Sequence, residues 1–272
     1  MRVTRSPRIS AAWLAVVALT CGLAPILTSS SPIQPVAEPL LRPGDFPLMG
    51  TDDLGRDEWS RWLYGGRVSL LASLSAAALA VVLGTGAALL AQGIGGAADA
   101  TVVGGSSAAM AIPGLLLALL LVAILGPGTD TLVLAVGFGL APGFARLARQ
   151  ALLQVRAEAY VAAAAAIGAG GMDTARRHLL PNALPRLLSL ATTHYAWAFS
   201  AMTTLTFLGL AGDISRPEWG SMLNAARPYL RSAAWLALFP AAAIAATILS
   251  VHTLGAWVAR RASGQSPVVS GR

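Results

Sequence analysis

Six long apolar runs constrain this chain more than any other feature. Ala11–Leu27, Arg67–Gln92, Gly104–Leu125, Thr131–Leu153, Ala183–Leu210 and Ala233–Ala259 consist mostly of Ala, Leu, Val, Ile and Gly. A helix of roughly 20 such residues crosses the hydrocarbon core of a bilayer. The chain is 56% hydrophobic and only 11% charged, the balance of an integral membrane protein and not of a soluble domain. The expectation is therefore one all-α membrane domain with six transmembrane helices. Ala80, Gly84 and Ala88 repeat every four residues in the second run, and small residues so spaced let helix backbones approach closely. Pro113-Gly114 interrupts the third run and Pro142 bends the fourth. Gly93–Thr101 reads as a tight turn.

The first run follows Arg2, Arg5 and Arg8 and precedes the small residues Thr28–Ser31. A cleaved signal peptide has the same outline, so retention and cleavage both stand on these residues alone. Ser29 to Trp62 differs from the rest. Pro32, Pro35, Pro39, Pro43 and Pro47 break regular structure, and acids accumulate. It reads as an extended segment outside the membrane. Asp57 is placed to cap a short amphipathic turn carrying Trp59, Trp62 and Tyr64 at the lipid interface. Thr51, Asp52, Asp53, Gly55, Arg56 and Asp57 crowd together here. Their spacing is not that of an EF-hand and no histidine is near, so no metal site is expected. Aspartates closing turns around Gly55 are the reading these residues give.

Arginine distribution sets the orientation. With the N-terminus inside, the inner segments hold twelve arginines against three acids, and the outer segments seven arginines against nine acids. Positive charge belongs on the cytoplasmic side, so both termini are expected there. The organisation that follows is an inner segment 1–10, a first span 11–28, an external segment 29–66, a five-helix core 67–259 and an inner tail 260–272. The basic excess is then topological, and nucleic acid is not an expected partner.

The chain contains no lysine. A Walker A loop needs one to reach nucleotide phosphates, and Schiff-base chemistry also needs one. Energy for any driven process must come from a partner. The single cysteine, Cys21, lies in an apolar run and reads as a packing residue. Gly104-Gly105-Ser106-Ser107 with His194 or His252 faintly resembles an intramembrane serine protease. The serine lies near one end of its span and His194 near mid-membrane, so the reach that nucleophile and base require fails for that pair. No HExxH metal motif is present. Catalytic, metal and cofactor-binding residues are therefore not expected. His194, Thr203 and Thr206 fall in the fifth run, where polar groups face a water-filled path or the helix bundle.

The most informative polar stretch is Tyr160–Asn182, inside the expected cytoplasmic loop 154–182. Ala162–Ala166 favour helix and carry no bulk beyond a methyl. Gly168, Gly170 and Gly171 end that helix. Asp173 is expected to N-cap a second helix, Thr174–Leu180, which carries Arg176, Arg177 and His178 and stops near Pro181. The order of small residues, Gly168 and Leu180-Pro181 resembles the EAA loop of permeases in binding-protein-dependent ABC importers. The run Arg177-His178-Leu179-Leu180-Pro181-Asn182-Ala183-Leu184-Pro185 is similar to the dipeptide, oligopeptide and nickel branch. So are Gly50–Asp57, Phe207-Leu208-Gly209-Leu210 and Trp219-Gly220-Ser221-Met222-Leu223.

That resemblance implies a type I ABC importer permease, whose first apolar run is kept as a span. It implies a homologous second permease, two ATPase subunits that use ATP and Mg, and an extracytoplasmic substrate-binding protein, near whose surface Thr51, Asp52, Asp53, Gly55, Arg56 and Asp57 would lie as a docking element beside their turn-forming role. The substrate implied is a di- or oligopeptide, with a nickel or metal chelate as the alternative. A membrane adaptor that does not transport is the alternative of another class. Tyr160, Ala162, Ala163, Ala164, Gly168, Asp173, Arg176, Arg177, His178, Pro181 and Asn182 map onto the ATPase-coupling loop. This chain departs from the family in having Ala162 and Ala165 at the usual glutamate and arginine, and Met202 where an acid often precedes Phe-Leu-Gly.

Overall fold

The computed structural model describes residues 7–166, 168–213 and 215–262. Arg2, Arg5 and the tail with Arg272 lie outside the described residues. Within them the architecture is helical, without β-strands.

Helix α1 (Pro7–Gly22) and the short α2 (Ala24–Leu27) lead into an extended segment. Helix α3 (Glu58–Ile94) follows, 37 residues or roughly 55 Å at 1.5 Å per residue. Asp57 begins it as expected, its carboxylate accepting the Trp59 and Ser60 amides. Trp59, Trp62 and Tyr64 do not form a separate turn. They occupy the first two turns of α3, which begins at Glu58.

The expected turn over Gly93–Thr101 is confined to Gly95 and Gly96, both with positive φ. Helix α4 (Gly96–Met110) starts at once, because residues 97–103 contain nothing that breaks a helix. The third apolar run is not one straight span. Helices α4 and α5 (Gly114–Leu125) meet at 84°. Pro113 lacks an amide hydrogen and excludes helical backbone at the residue before it, so Ile112 cannot carry the helix onward.

Helix α6 (Thr129–Arg156) runs through Pro142 unbroken. After α7 (Ala159–Ala166) and α8 (Gly171–Thr174), a π-helical turn Ala175–Leu179 joins α9 (Leu180–Phe207). Helix α10 (Trp219–Ala226), a 3-10 turn Arg227–Tyr229 and α11 (Trp235–Ala262) complete the chain.

Three helices, α3, α6 and α11, are individually long and apolar enough to cross a membrane, and the bent α4–α5 pair makes a fourth by length and composition. The other two expected spans are present as helices of different character. Helix α1 has 16 residues, below the usual crossing length. Helix α9 has the length, 28 residues, but its threonines and His194 lower its hydropathy.

The centre of the fold is the contact between α3 and α6. Ala80 and Ala88 are fully buried, and a Cβ added to Gly84 would lie 2.8 Å from the Ala145 nitrogen. The four-residue repeat thus presses backbone against backbone. Helix α9 packs against α3, α6 and α11, while α1 leans on α11 and α3. Cys21 is buried beside Gly66, a packing position. Trp219, also fully buried, donates its indole N–H to the Trp62 carbonyl at 2.9 Å and stands edge-on to Phe199. Gly220 lets α10 touch α9, since any side chain there would overlap Thr206. The family-like Trp-Gly-Ser-Met run is therefore a packing device.

Candidate coupling surface

The loop between α6 and α9 stands on the C-terminal ends of α3 and α6. Glu158 turns the chain, its carbonyl accepting the Val161 and Ala162 amides at 3.0 and 3.3 Å. Val161 is the anchor. It is buried among Phe144, Leu152, Leu179 and Leu187, an attachment of about 1.5–3 kcal/mol. The rest of α7 turns outward: Tyr160, Ala162 and Ala163 are exposed and Ala164 is half-buried. A short helix is thereby fixed on one face and smooth on the other.

Gly168 follows with φ of 93°, and open space surrounds the point where a side chain would begin. The sharp exit from α7 rests on backbone conformation alone. Gly170 caps α8, and Gly171 brings the loop back onto α3: a Cβ there would lie 2.3 Å from the Gly93 carbonyl oxygen. Met172 covers Gly93 beside it. The coupling loop is thus seated on the end of the longest helix.

Two expectations about this loop are corrected. Asp173 caps no helix. It lies inside α8 and pairs with Arg177 at 2.7 Å across one exposed turn, a contact worth at most about 0.5 kcal/mol. Pro181 does not stop a helix either. Backbone angles stay helical from Thr174 through Leu180. The wider π turn reaches Pro181 at the start of α9, where a missing amide hydrogen is tolerated. Arg176, Arg177, Pro181 and Asn182 are exposed and His178 is half-buried. Asn182 donates to the His178 carbonyl at 2.6 Å.

At the root of the loop is a polar cluster that sequence reasoning missed. Arg149 donates to both carboxylate oxygens of Asp99, at 2.6 and 2.5 Å. Gln92 donates to the same carboxylate at 3.2 Å. Arg156 donates to the Gln92 carbonyl and side-chain oxygen at 2.9 and 3.1 Å. The only signal in the sequence was the i, i+7 spacing of the two arginines, which puts both on one face of α6.

At the opposite end, the residues of the 51–57 stretch are mostly turned inward. The Thr51 hydroxyl donates to the Glu38 carbonyl and accepts the Leu41 amide. Asp52 holds Arg56 at 2.6 Å and Arg61 at 3.2 Å. Asp57 is spent on its cap, and Gly55, with φ of 74°, abuts the Ala37 carbonyl. Thr51, Asp52, Arg56 and Asp57 are all buried, whereas Asp53 and Leu54 reach the surface. These residues brace the external segment. Glu218, also on this side, is buried; burial pushes its carboxyl above the ordinary range, and a hydrogen bond from Thr129 offsets part of the rise.

The polar residues of α9 are likewise internal. His194 is buried edge-on to Phe144 at 4.8 Å, with Trp197 5.1 Å away. Thr203 and Thr206 are buried and donate to the carbonyls of Phe199 and Thr203 on their own helix. Thr204 instead faces an open apolar groove of about 450 Å³, lined by Met110, Ile112 and Leu115 at the α4–α5 corner and by Val136 and Leu140 of α6. Met202 is buried in the core between α3, α5 and α6, an environment that would penalise an acid at this position.

Comparison with known proteins matches residues 80–264 to the binding-protein-dependent transport system inner membrane component family. A Brucella suis permease protein named for peptide transport is 36% identical over 252 residues, 92% of this chain and 85% of its own. The dipeptide transport system permease protein of Alkalihalophilus pseudofirmus is 35% identical, over 85% of this chain and 77% of its own. The glutathione transport system permease protein of Escherichia coli is 37% identical, over 76% and 68% respectively. Among solved structures, an inward-facing form of the MetNI methionine ABC transporter has the same fold. Its TM-score is 0.60 at 19% identity, covering 74% of this chain and 96% of that one. This chain belongs to the inner membrane components of binding-protein-dependent transport systems, and is an ABC importer permease of the type I fold.

Proposed function

We propose that this chain forms one half of a pathway that carries di- or oligopeptides across the plasma membrane. The carrying observation is that relatives named for peptide, dipeptide and glutathione transport match it over 76–92% of its length. A homologous second permease supplies the other half, and an external capture protein delivers the peptide. Two ATPase subunits hydrolyse ATP with Mg, for which this lysine-free chain has no Walker A loop. They meet the exposed face of α7, which lies at the arginine-rich end assigned to the cytoplasm. Their closure pushes α7, and the two bundles rock between inward and outward access.

The groove beside Thr204, open and apolar, is the part of the pathway that this reading assigns to this chain. Its apolar lining suits a path with no high-affinity site, since selection takes place in the capture protein. The test is reconstitution of the complete complex in liposomes with labelled dipeptide. ATP-dependent uptake that requires the capture protein supports the proposal. Uptake of nickel chelates alone, or of nothing, would overturn it.

A further inference from the structure

Helix α4 is held in an unusual way. At one end Gly95 and Gly96 have φ of 72° and 50°; at the other the chain breaks at Ile112-Pro113 and bends by 84°. Ser106 is the only buried residue of α4. This 15-residue helix, packed against α3 and α6 between two bends, has a polar tie as well. The Asp99 carboxylate provides it: Arg149 of α6 engages both oxygens, and Gln92 of α3 donates to one of them. Arg156, one residue before the turn into α7, grips Gln92 by two hydrogen bonds. One continuous set of contacts thus runs from the root of α7, through the end of α3, to α4. The far end of α4 carries Met110, which lines the groove.

We propose that Asp99 and Arg149 are positioning residues for transport: their bidentate pairing carries movement of the α6–α7 end to α4, and so to the α4–α5 corner at the groove. This rests on the reading of α7 as the coupling surface. A pin of this kind suits the task because the fork-shaped guanidinium fixes direction as well as distance. A single unaligned contact would let α4 slide. The pair is about a quarter exposed on each side, so solvent can replace its bonds when they are broken, and the fold does not depend on them.

The test uses the complete reconstituted complex and reads dipeptide imported per ATP hydrolysed. Asp99→Asn and Arg149→Asp are expected to lower that ratio roughly two- to thirty-fold, with hydrolysis retained. Asp99→Glu, which keeps the charge, is expected to retain most of the ratio. The exchange Asp99→Arg with Arg149→Asp is expected to restore much of what Arg149→Asp alone loses. Ala164→Arg on α7 is run beside them. If it abolishes uptake while the Asp99 and Arg149 variants keep the wild-type ratio, the link is wrong and the coupling surface stands. If none of them changes uptake, both readings fall. If Asp99→Asn prevents assembly with the other subunits, the pair is a structural brace and the inference is overturned.

Discussion

Gly168 offers the cleanest perturbation of the coupling surface. Its φ of 93° lies where residues with a side chain are strained, and nothing occupies the 4 Å around its absent Cβ. Substitution therefore adds backbone strain without a steric clash. A residue forced into left-handed backbone costs roughly 1–2 kcal/mol, and a β-branched one more. If the strain is relieved by a change in the exit from α7, the docking-competent loop becomes about five- to thirty-fold rarer. Gly168→Ala should then weaken recovery of the ATPase with the permease by about the lower factor, and Gly168→Val by the upper. Gly86→Ala is the matched control. It adds the same methyl in equally open space, but in the helical backbone of α3. Titration of ATPase into permease in nanodiscs, alongside dipeptide uptake, gives both readouts. Equal affinities for the Gly168 and Gly86 variants would refute the claim that this backbone angle sets the docking geometry.

Ala164→Arg puts a long charged side chain on α7, and overpacking of about 1–3 kcal/mol should reduce ATPase recovery five- to a hundredfold in pull-downs, with membrane insertion normal. Asp52→Ala leaves the guanidinium groups of Arg56 and Arg61 buried without their carboxylate; a loss of about 3–5 kcal/mol is expected, seen as a lower Tm of the detergent-solubilised protein. Glu218 has its folded pKa raised above the ordinary value near 4.5, so the folded protein loses stability as pH rises through that window. Glu218→Gln should match the wild type in Tm at pH 4 and exceed it at pH 8; a constant gap between the two would show that burial of the charge is not the cause.

What the sequence made legible was local or periodic. The repeat Ala80, Gly84, Ala88 announced a close helix contact because a spacing of four fixes one face, and α6 was found against it. Asp57 and Gly168 were readable because capping and positive φ are demands on a single residue. The failures all involve partners distant in the chain or a geometry that offsets a rule. Pro181 looked like a stop until the π turn before it widened the helix. Asp52 does close a turn, accepting the Leu54 and Arg56 amides, but its contact with Arg61 depends on how the segment folds back. Asp99 and Arg149, fifty positions apart, carry no common pattern. Gly171 was placed as a helix terminator, although its closest constraint is the Gly93 carbonyl across the loop. Polar residues on α9 left a path and the bundle interior both open in the sequence; helix rotation turns His194, Thr203 and Thr206 inward and leaves Thr204 on the groove.

The account depends most on α7 meeting an ATPase. A photo-activatable cross-linker at Ala163, exposed on α7, and another at Leu54, 55% exposed at the opposite end, address this in one experiment on the assembled complex in native membranes. The prediction is capture of an ATPase subunit from position 163 and not from position 54. Capture of the ATPase from position 54, or only lipid and permease from position 163, would contradict the central claim.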